Sequence, residues 1–494
     1  MKYSRREILF MSSAVAAMGA LGACSGERSR PTNIDDFDAV ETASRIRSKD
    51  ITAREAVEAA ILRAEKVNPK INAIVASSFD QAREAAAQIS DGAFAGVPTF
   101  VKDLLDVTGQ PTGNGSRAFD GHIATAQFPF IDDLFDAGFI SIGKSSTPEF
   151  GLTGTTEPVS SGITRNPWNV DHSSGGSSGG AAALVAAGVV PLAHASDGGG
   201  SIRIPASCCG TVGLKVSNDR YRPARNERNI PVRISVQGCE TRTVRDTAAF
   251  LAAMEADGTG GPLEPIGLVK SPSKKRLKIG FFTAAPVGVP VETDVVRATE
   301  DAARLCESLG HIVEPMETPF SASLAEPFLI YWAAFADQVV TAWEAQNGRA
   351  ATEDQFEPFT FGLKQHFHAN RDKMGDAILK LIGFASAYRN SFGEFDLLLS
   401  PVLTAAPPPI GYLGTDVAYD TAIERLSAYA QFTSPANVAG APSISLPLGW
   451  SSDGLPIGAM FNAQVGQERM LLELAFELEQ AQGWIDRTPP VFAR

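Results

Sequence analysis

The sequence predicts an α/β fold with a largely buried central sheet. Short apolar runs recur along the chain, and stretches with helical spacing separate them. Strands that alternate with helices are typical of α/β proteins, and continuous apolar runs are typical of strands that are covered on both faces. The runs predicted as strands are residues 97–101, 139–142, 189–195, 277–282, 395–399 and 443–448, with helices at 294–309 and 467–480 among those between them.

Two helices are predicted before the first strand. Residues 35–50 form a short helix, and a capping box of Thr52 and Glu55 opens the second one. Apolar residues then recur every three to four positions, which indicates an amphipathic helix. Because a proline disfavours helical geometry in the residue before it, we expect this helix to stop before Asn68 and Pro69.

The N-terminus resembles an export signal. Lys2, Arg5 and Arg6 form a positive segment, and the paired arginines resemble a twin-arginine pattern. The apolar stretch that follows, residues 8–23, is shorter than a membrane span. We therefore expect a cleaved signal instead of a transmembrane helix.

The end of this signal resembles a bacterial lipoprotein processing box. Small residues precede Cys24, which would be acylated and become the new N-terminus. We predict a signal at residues 1–23, a linker at 24–34 and a single domain at 35–494. The protein would be exported, as a periplasmic or cell-envelope lipoprotein, although a plain cleaved signal fits the same residues.

Charge and cysteine content argue against two classes of protein. The chain has 56 acidic and 43 basic residues, so its net charge of −13 repels a nucleic-acid backbone. The cysteines after Cys24 have neither metal-site spacing nor the density of a disulfide framework. We expect all four to be buried and free of metal: Cys208, Cys209, Cys239 and Cys306.

One segment departs from the alternation of strands and helices. Residues 320–389 are rich in aromatic side chains and have helical spacing with no convincing strand. We predict a helical insertion that either shapes a substrate pocket or covers apolar surface. His366 and His368 lie within it, but their rings would point to opposite sides of a helix, so we expect no metal site.

Two loops of small residues are the candidates for chemistry. The first, residues 173–180, contains only serine and glycine, includes Ser177, and leads directly into an alanine-rich stretch. The second, residues 197–205, has three consecutive glycines before Ser201. Such glycines can turn their N–H groups inward together, which is how a backbone oxyanion hole is made.

A lysine at the end of a predicted strand is the third candidate. Lys102 follows Phe100 and Val101 and precedes Leu104 and Leu105, so we expect it to be buried. Burial lowers the pKa of a lysine, and a fall of roughly three units from about 10.4 leaves a neutral amine near neutral pH. Lys102 is therefore a candidate general base.

These elements together resemble the amidase signature family. That family combines an upstream lysine, a Gly-Gly-Ser-Ser-Gly-Gly loop and a downstream Gly-Gly-Ser-Ile-Arg segment. The lysine-to-serine and serine-to-serine spacings here, 75 and 24 residues, match it. The likeness spans nearly the whole chain after the signal, and its arrangement is similar to bacterial aminohexanoate cyclic-dimer hydrolases. It implies a mixed sheet with helices on both faces.

The resemblance also implies a serine amidase mechanism. Ser201 would be the nucleophile that forms an acyl-enzyme, Ser177 the bridging serine on a cis peptide bond, and Lys102 the neutral base. A lysine has one basic nitrogen, so a hydroxyl between it and the nucleophile can relay the proton. The enzyme would hydrolyse linear or cyclic carboxamides to a carboxylate and an amine or ammonia, with no cofactor or metal.

Supporting residues and partners follow from the same resemblance. The implied supporting residues are the oxyanion-hole glycines Gly198, Gly199 and Gly200, the loop-ordering Ser178, and the structural pair Asp197 and Arg203. The implied partner is a small-molecule amide, with membrane contact only through the lipid anchor and with a homodimer that the family allows. Many members carry Thr or Ile in place of Gly198, and residues 215–218 also depart from the family pattern.

Other functions stay open on the sequence alone. Residues 175–179 fit the nucleophile elbow of α/β-hydrolases, which would make Ser177 the nucleophile of an esterase. An elbow needs a buried strand before it, and residues 169–174 are mostly polar. The alternatives are a catalytically silent, ligand-binding lipoprotein and the family's tRNA-linked amidotransferase subunit, which the export signal and negative charge oppose.

Overall fold

Thirteen strands lie within the described part of the chain. The structure is a computed structural model that describes residues 34, 37–222, 230–255, 263–414 and 417–494. The strands are β1 (Ile74–Ser77), β2 (Pro98–Lys102), β3 (Ile140–Ser145), β4 (Arg165–Asn166), β5 (Asn169–Ser173), β6 (Leu192–Asp197), β7 (Val212–Lys215), β8 (Val236–Thr241), β9 (Lys278–Phe281), β10 (Ile312–Pro315), β11 (Leu397–Pro401), β12 (Ser443–Trp450) and β13 (Pro456–Asn462).

The strands form one large and two small sheets. The large sheet has the order β10-β9-β11-β13-β12-β7-β8-β6. Its β10, β9 and β11 are parallel, and its remaining pairs are antiparallel. A three-stranded sheet has the order β1-β3-β2, and β4 pairs with β5. This mixed arrangement confirms the predicted α/β class.

Helices cover the sheets. They are α1 (Ala39–Arg47), α2 (Ala53–Ile71), α3 (Phe79–Ala85), α4 (Pro129–Asp136), α5 (Gly179–Ala186), α6 (Arg203–Cys209), α7 (Val244–Met254), α8 (Thr293–Ser308), α9 (Ala325–Asn347), α10 (Pro358–Ala369), α11 (Met374–Asn390), α12 (Tyr419–Tyr429), α13 (Ser434–Val438) and α14 (Glu468–Gln482). The segment 320–389 contains α9, α10 and most of α11, with no strand. None of the described helices is long and apolar enough to cross a bilayer.

The two faces of the large sheet pack against different helices. Leu214, Ile444 and Leu446 belong to a large apolar cluster that includes residues of α7, α8 and α14. On the opposite face, a Cβ on Gly213 would lie 2.7 Å from the Ala206 side chain of α6. The missing side chain lets α6, which begins directly after the candidate nucleophile loop, lie close to the sheet.

Side chains join the small sheet to the large one where β2 runs beside β6. Thr99 Oγ1 donates a hydrogen bond to the Leu192 carbonyl at 3.0 Å. The Lys102 backbone N–H donates to His194 Nδ1 at 3.1 Å. We call this β2–β6 junction the seam, and it places the candidate base beside the strand that leads to Ser201.

The prediction that the second helix stops before Pro69 is wrong. Helix α2 runs through Pro69 to Ile71 and ends at Asn72, which is left-handed with φ of 48°. The side chain of Asn68 accepts from the N–H groups of Ala73 and Ile74. Because this side chain holds the chain just beyond the proline, the lost helical hydrogen bond is tolerated so close to the end.

The predicted signal, Cys24 and most of the linker lie outside the described residues. The described chain begins at Ile34, and helix α1 starts at Ala39, inside the predicted helix 35–50. Asp38 caps α1 by accepting from the Glu41 N–H at 2.8 Å.

Candidate active site

Lys102 lies at the C-terminal end of β2 and is fully buried. Its amine contacts three hydroxyl groups: Ser177 Oγ at 2.7 Å, Ser178 Oγ at 2.9 Å and Ser196 Oγ at 3.1 Å. The structure thus brings the predicted lysine and bridging serine into direct contact. Ser196, from β6, is a further partner that the sequence did not indicate.

The surroundings of Lys102 favour its neutral form. Burial lowers the pKa of Lys102 to about 7, although the nearby carboxyl groups of Asp197 and Glu240 oppose the shift. A neutral amine has two N–H donors and one lone pair. Ser178 Oγ donates its own proton to the Ser196 carbonyl at 3.2 Å, so it accepts from the amine. The second N–H of the amine is donated to Ser196 Oγ at 3.1 Å, which leaves the lone pair for a proton from Ser177.

The first small-residue loop connects β5 to α5. Its Gly176–Ser177 peptide bond is cis, as the resemblance implies. The N–H of Ser178 donates to the Ser201 carbonyl at 3.2 Å, which joins the two loops. The preceding strand β5 is partly exposed and belongs to the two-stranded sheet. It is unlike the buried strand of a nucleophile elbow.

The second loop turns from β6 into α6 around one carboxylate. Asp197 accepts from the N–H groups of Gly200 at 2.7 Å and Ile202 at 3.2 Å. Its carboxylate also accepts hydrogen bonds from Arg203 Nε at 2.9 Å and Nη2 at 3.0 Å, and both side chains are fully buried. Burial alone would raise the pKa of Asp197, but the Arg203 guanidinium holds that pKa well below its ordinary value. Asp197 thus fixes the backbone around Ser201.

The predicted oxyanion hole of three glycines is wrong for Gly200. The Gly200 N–H points to Asp197, and a Cβ at its φ of 138° would lie 2.5 Å from Thr433 Oγ1. Gly200 therefore shapes the turn instead of facing a substrate. Gly199 and Ser201 do line the adjacent cavity. Gly198 is not among the described residues that line it, so the N–H groups of Gly199 and Ser201 are the candidates that remain for an oxyanion.

A cavity of about 990 Å³, including its open mouth, leads to Ser201. It lies between the loop before Ser201, helix α9 of the segment 320–389 and helix α12. No charged side chain is among the described residues that line it. The lining residues include Gly151, Leu152, Ile204, Phe320, Leu324, Phe328, Leu329, Trp332, Ile423, Leu426 and Pro435.

Two stacked rings of α9 form one wall of this cavity. Phe328 and Trp332 have ring centroids 5.8 Å apart, and Trp332 Nε1 donates to the Leu152 carbonyl at 3.2 Å. A Cβ on Gly198 would lie 3.2 Å from the Trp332 ring, and one on Gly199 would lie 3.3 Å from Phe328. The Trp332 ring thus occupies the space that a Thr or Ile side chain would need at position 198.

Comparison with known proteins agrees with this geometry. The sequence profile of the Amidase family matches residues 55–472. The chain belongs to the amidase family. This amidase is 43% identical to a Mycobacterium tuberculosis protein named as the amidase AmiC. The alignment of 455 residues covers 91% of this chain and 96% of the relative. It is 34% identical over 482 residues to the 6-aminohexanoate-cyclic-dimer hydrolase of Paenarthrobacter ureafaciens, with 92% and 96% covered.

Solved structures show the same fold. The structure of 6-aminohexanoate cyclic dimer hydrolase matches with a TM-score of 0.85 and 32% identity over 93% of this chain and 100% of that one. A bacterial aryl acylamidase of the amidase signature family matches with a TM-score of 0.81 and 29% identity, over 91% and 98%. The predicted family and fold are confirmed, and the amidase is an amidohydrolase that cleaves carboxamides.

The sequence did not indicate several residues of this site. Ser196 and His194 lie on the same face of β6 and both reach Lys102. Alternation along the strand before the loop was the signal that could have found them. Asn437 and Thr433 come from a distant segment and contact Asp197 and the Gly199 carbonyl. No local pattern marks those two.

The cysteines agree with the prediction that they are buried. Cys208, Cys209, Cys239 and Cys306 are free and buried, and burial raises the pKa of each thiol, which opposes reactivity. The described residues contain no group of His, Cys, Asp and Glu that could hold a metal.

Proposed function

We propose that this amidase cleaves uncharged carboxamides with Ser201 as the nucleophile, Ser177 as the proton relay and Lys102 as the base. The observation that carries the proposal is the 2.7 Å contact between the Lys102 amine and Ser177 Oγ. Ser177 belongs to the loop whose Ser178 N–H donates to the Ser201 carbonyl. Ser201 is 8% exposed and lines the cavity, so a substrate can reach it.

The steps follow from the chemistry of these groups. Ser201 Oγ attacks the amide carbon while its proton passes to Ser177 and the Ser177 proton passes to Lys102. The resulting oxyanion accepts from the N–H groups of Gly199 and Ser201. The C–N bond then breaks as the proton returns through Ser177 to the leaving nitrogen. Water repeats the sequence on the acyl-enzyme and releases the acid.

A fluorophosphonate probe tests which serine is the nucleophile. We expect peptide mass spectrometry to find the adduct on Ser201, and Ser201→Ala to lose both the adduct and amidase activity. Ser178→Ala is the matched control, because it removes a neighbouring hydroxyl and should still give an adduct. An adduct on Ser177 would instead support the esterase alternative.

The cavity supports a substrate class of uncharged, largely apolar amides. Burying an unpaired charge is costly, and the described lining offers no countercharge. The stacked Phe328 and Trp332 rings give a flat apolar wall beside the loop. The similar enzymes named for 6-aminohexanoate cyclic dimer and for aryl acyl amides fit the same class.

A pair of anilides of matched length tests this substrate class. We expect hexanoyl p-nitroanilide to be cleaved with a kcat/KM at least roughly 100-fold above that of adipoyl mono-p-nitroanilide, which ends in a carboxylate. The two acyl chains have the same carbon count, so the comparison isolates the charge. Equal kcat/KM values would contradict an uncharged acyl pocket.

We further propose that the protein is exported and anchored by a lipid on Cys24, and that it forms a homodimer. The paired Arg5 and Arg6, the apolar stretch 8–23 and the small residues before Cys24 support export and acylation. The homodimer is supported by family resemblance, and sedimentation velocity of the chain without its signal tests it.

Fractionation of cells that express the full chain tests the anchor. We expect the wild type in the detergent phase of a Triton X-114 partition and Cys24→Ala in the aqueous phase. Arg5→Lys with Arg6→Lys should retain the precursor in the cytoplasm if the twin-arginine route is used. Identical partition of wild type and Cys24→Ala would contradict acylation.

A further inference from the structure

His194 lies between the base and a second strand. It is fully buried on β6, and its Nδ1 accepts the Lys102 backbone N–H at 3.1 Å. Its Nε2 lies 3.0 Å from Gln237 Oε1 on β8. An amide oxygen can only accept, so Nε2 carries the proton and Nδ1 keeps its lone pair. Gln237 therefore fixes the tautomer that accepts from Lys102.

This contact occurs where strand pairing is missing. Strands β2 and β6 belong to different sheets, so at the seam an imidazole replaces a carbonyl as the acceptor for Lys102. A buried N–H without an acceptor is costly, and movement of the backbone here would move the amine that contacts Ser177.

We infer that His194 is a positioning residue for this reaction: its neutral imidazole, held by Gln237, fixes the backbone of Lys102 and thereby the reach of its amine to Ser177. The inference rests on the proposed role of Lys102 as the base. It gives no chemical step to His194, which touches neither the nucleophile nor the cavity among the described contacts.

Burial keeps the His194 imidazole neutral. The ring is close to the amines of Lys102 and Lys144, and the Phe130 ring packs against it with centroids 5.5 Å apart. Burial, opposed by Gln237 and helped by the two lysines, lowers the pKa of His194 to about 3. Around Lys102 itself, the carboxyl groups of Asp197 and Glu240 oppose the lowering of its pKa by burial.

Two substitutions at His194 separate positioning from packing. His194→Leu fills the space but has no acceptor, and we expect kcat to fall roughly 10-fold or more with KM little changed. The acid limb of the pH profile of kcat/KM should also shift, because the surroundings of the Lys102 amine change. His194→Asn places an oxygen as many bonds from the backbone as Nδ1, and should recover most of kcat and the wild-type pH profile.

A third variant, Gln237→Glu, changes the partner of His194 Nε2 and leaves the contact between Lys102 and His194 Nδ1 itself unmutated. A carboxylate beside Nε2 favours the imidazolium, which has no lone pair for the Lys102 N–H. We expect a further loss of kcat on the acid side that wild type lacks. Phe130→Leu is the matched control, because it alters packing on the same ring without touching its hydrogen bonds, and its pH profile should stay that of wild type.

The outcomes separate this inference from the proposed function. Wild-type pH profiles in both His194→Leu and Gln237→Glu, with both proteins folded by circular dichroism, would overturn the positioning role. Equal losses in His194→Leu and His194→Asn would also overturn it, because only packing would then matter. Full activity in Lys102→Met would instead remove the proposed base, whatever the His194 variants do.

Discussion

Lys102→Met is expected to lower kcat by roughly 10²–10⁴-fold while the protein stays folded. Methionine fills a similar volume but cannot take a proton from Ser177, whose hydroxyl lies 2.7 Å from the amine. In the wild type, kcat/KM should rise with pH through about 7, because the amine must be neutral to act as a base. Steady-state hydrolysis of a neutral anilide between pH 5.5 and 9 measures both effects.

Lys215→Met is the matched control for this result. Lys215 is equally buried, and burial also lowers its pKa to about 7, but its amine donates to the carbonyls of Val216 and Ala441. We expect Lys215→Met to keep its activity. An activity loss as deep as that of Lys102→Met would mean that loss of a buried amine, and not of the base, explains the effect.

Both lysine variants should also change how stability depends on pH. The folded pKa of about 7 lies below the unfolded value of about 10.4, so between these values the unfolded chain binds more protons and stability rises with pH. Each methionine variant should lose roughly 3 kcal/mol of that rise between pH 7 and 10. Urea unfolding at the two pH values measures it.

Asp197→Asn is expected to cost roughly 3–5 kcal/mol of stability, because it leaves the buried Arg203 guanidinium without its countercharge. It also replaces an oxygen that the Gly200 or Ile202 N–H needs, so reaction with the fluorophosphonate should slow as well. Because the Arg203 guanidinium lowers the pKa of Asp197, the carboxylate is charged at every pH above about 4. The loss of stability should therefore appear throughout that range. Urea unfolding and labelling rates measure the two effects.

Asp246→Asn provides the comparison for this variant. Asp246 is also buried and accepts from the N–H groups of Ala39 and Val40, but burial and the nearby Asp38 raise its pKa. Removing a charge that the fold disfavours should cost much less than removing the partner of Arg203. Equal losses of stability in the two variants would contradict the anchoring role of the Asp197–Arg203 pair.

The sequence predicted those parts of the fold that local patterns encode. The apolar run 97–101 is recognisable because its strand is buried on both faces. Strand β8 escaped prediction because Gln237, Gly238 and Glu240 interrupt its apolar pattern, and these residues have partners only in the folded protein. Strand β13 begins at a proline, which reads as a boundary in isolation.

The same division holds for the site. The lysine and two serines lie in short, distinctive segments, so resemblance could identify them. The direction of the Gly200 N–H could not be predicted, because it depends on Asp197 three residues earlier. Asn437 reaches Asp197 across 240 residues of chain, and only tertiary packing brings the two together.

Activity also depends on how the two sheets pack together at the seam. The proposed base belongs to the small sheet and the proposed nucleophile follows a strand of the large one, so neither sheet alone holds a complete reaction centre. A displacement of β2 relative to β6 would separate Lys102 from Ser177 and abolish activity, while nearly all of the helices and strands stayed intact. Folding must therefore bring the two sheets together before the proposed reaction centre exists.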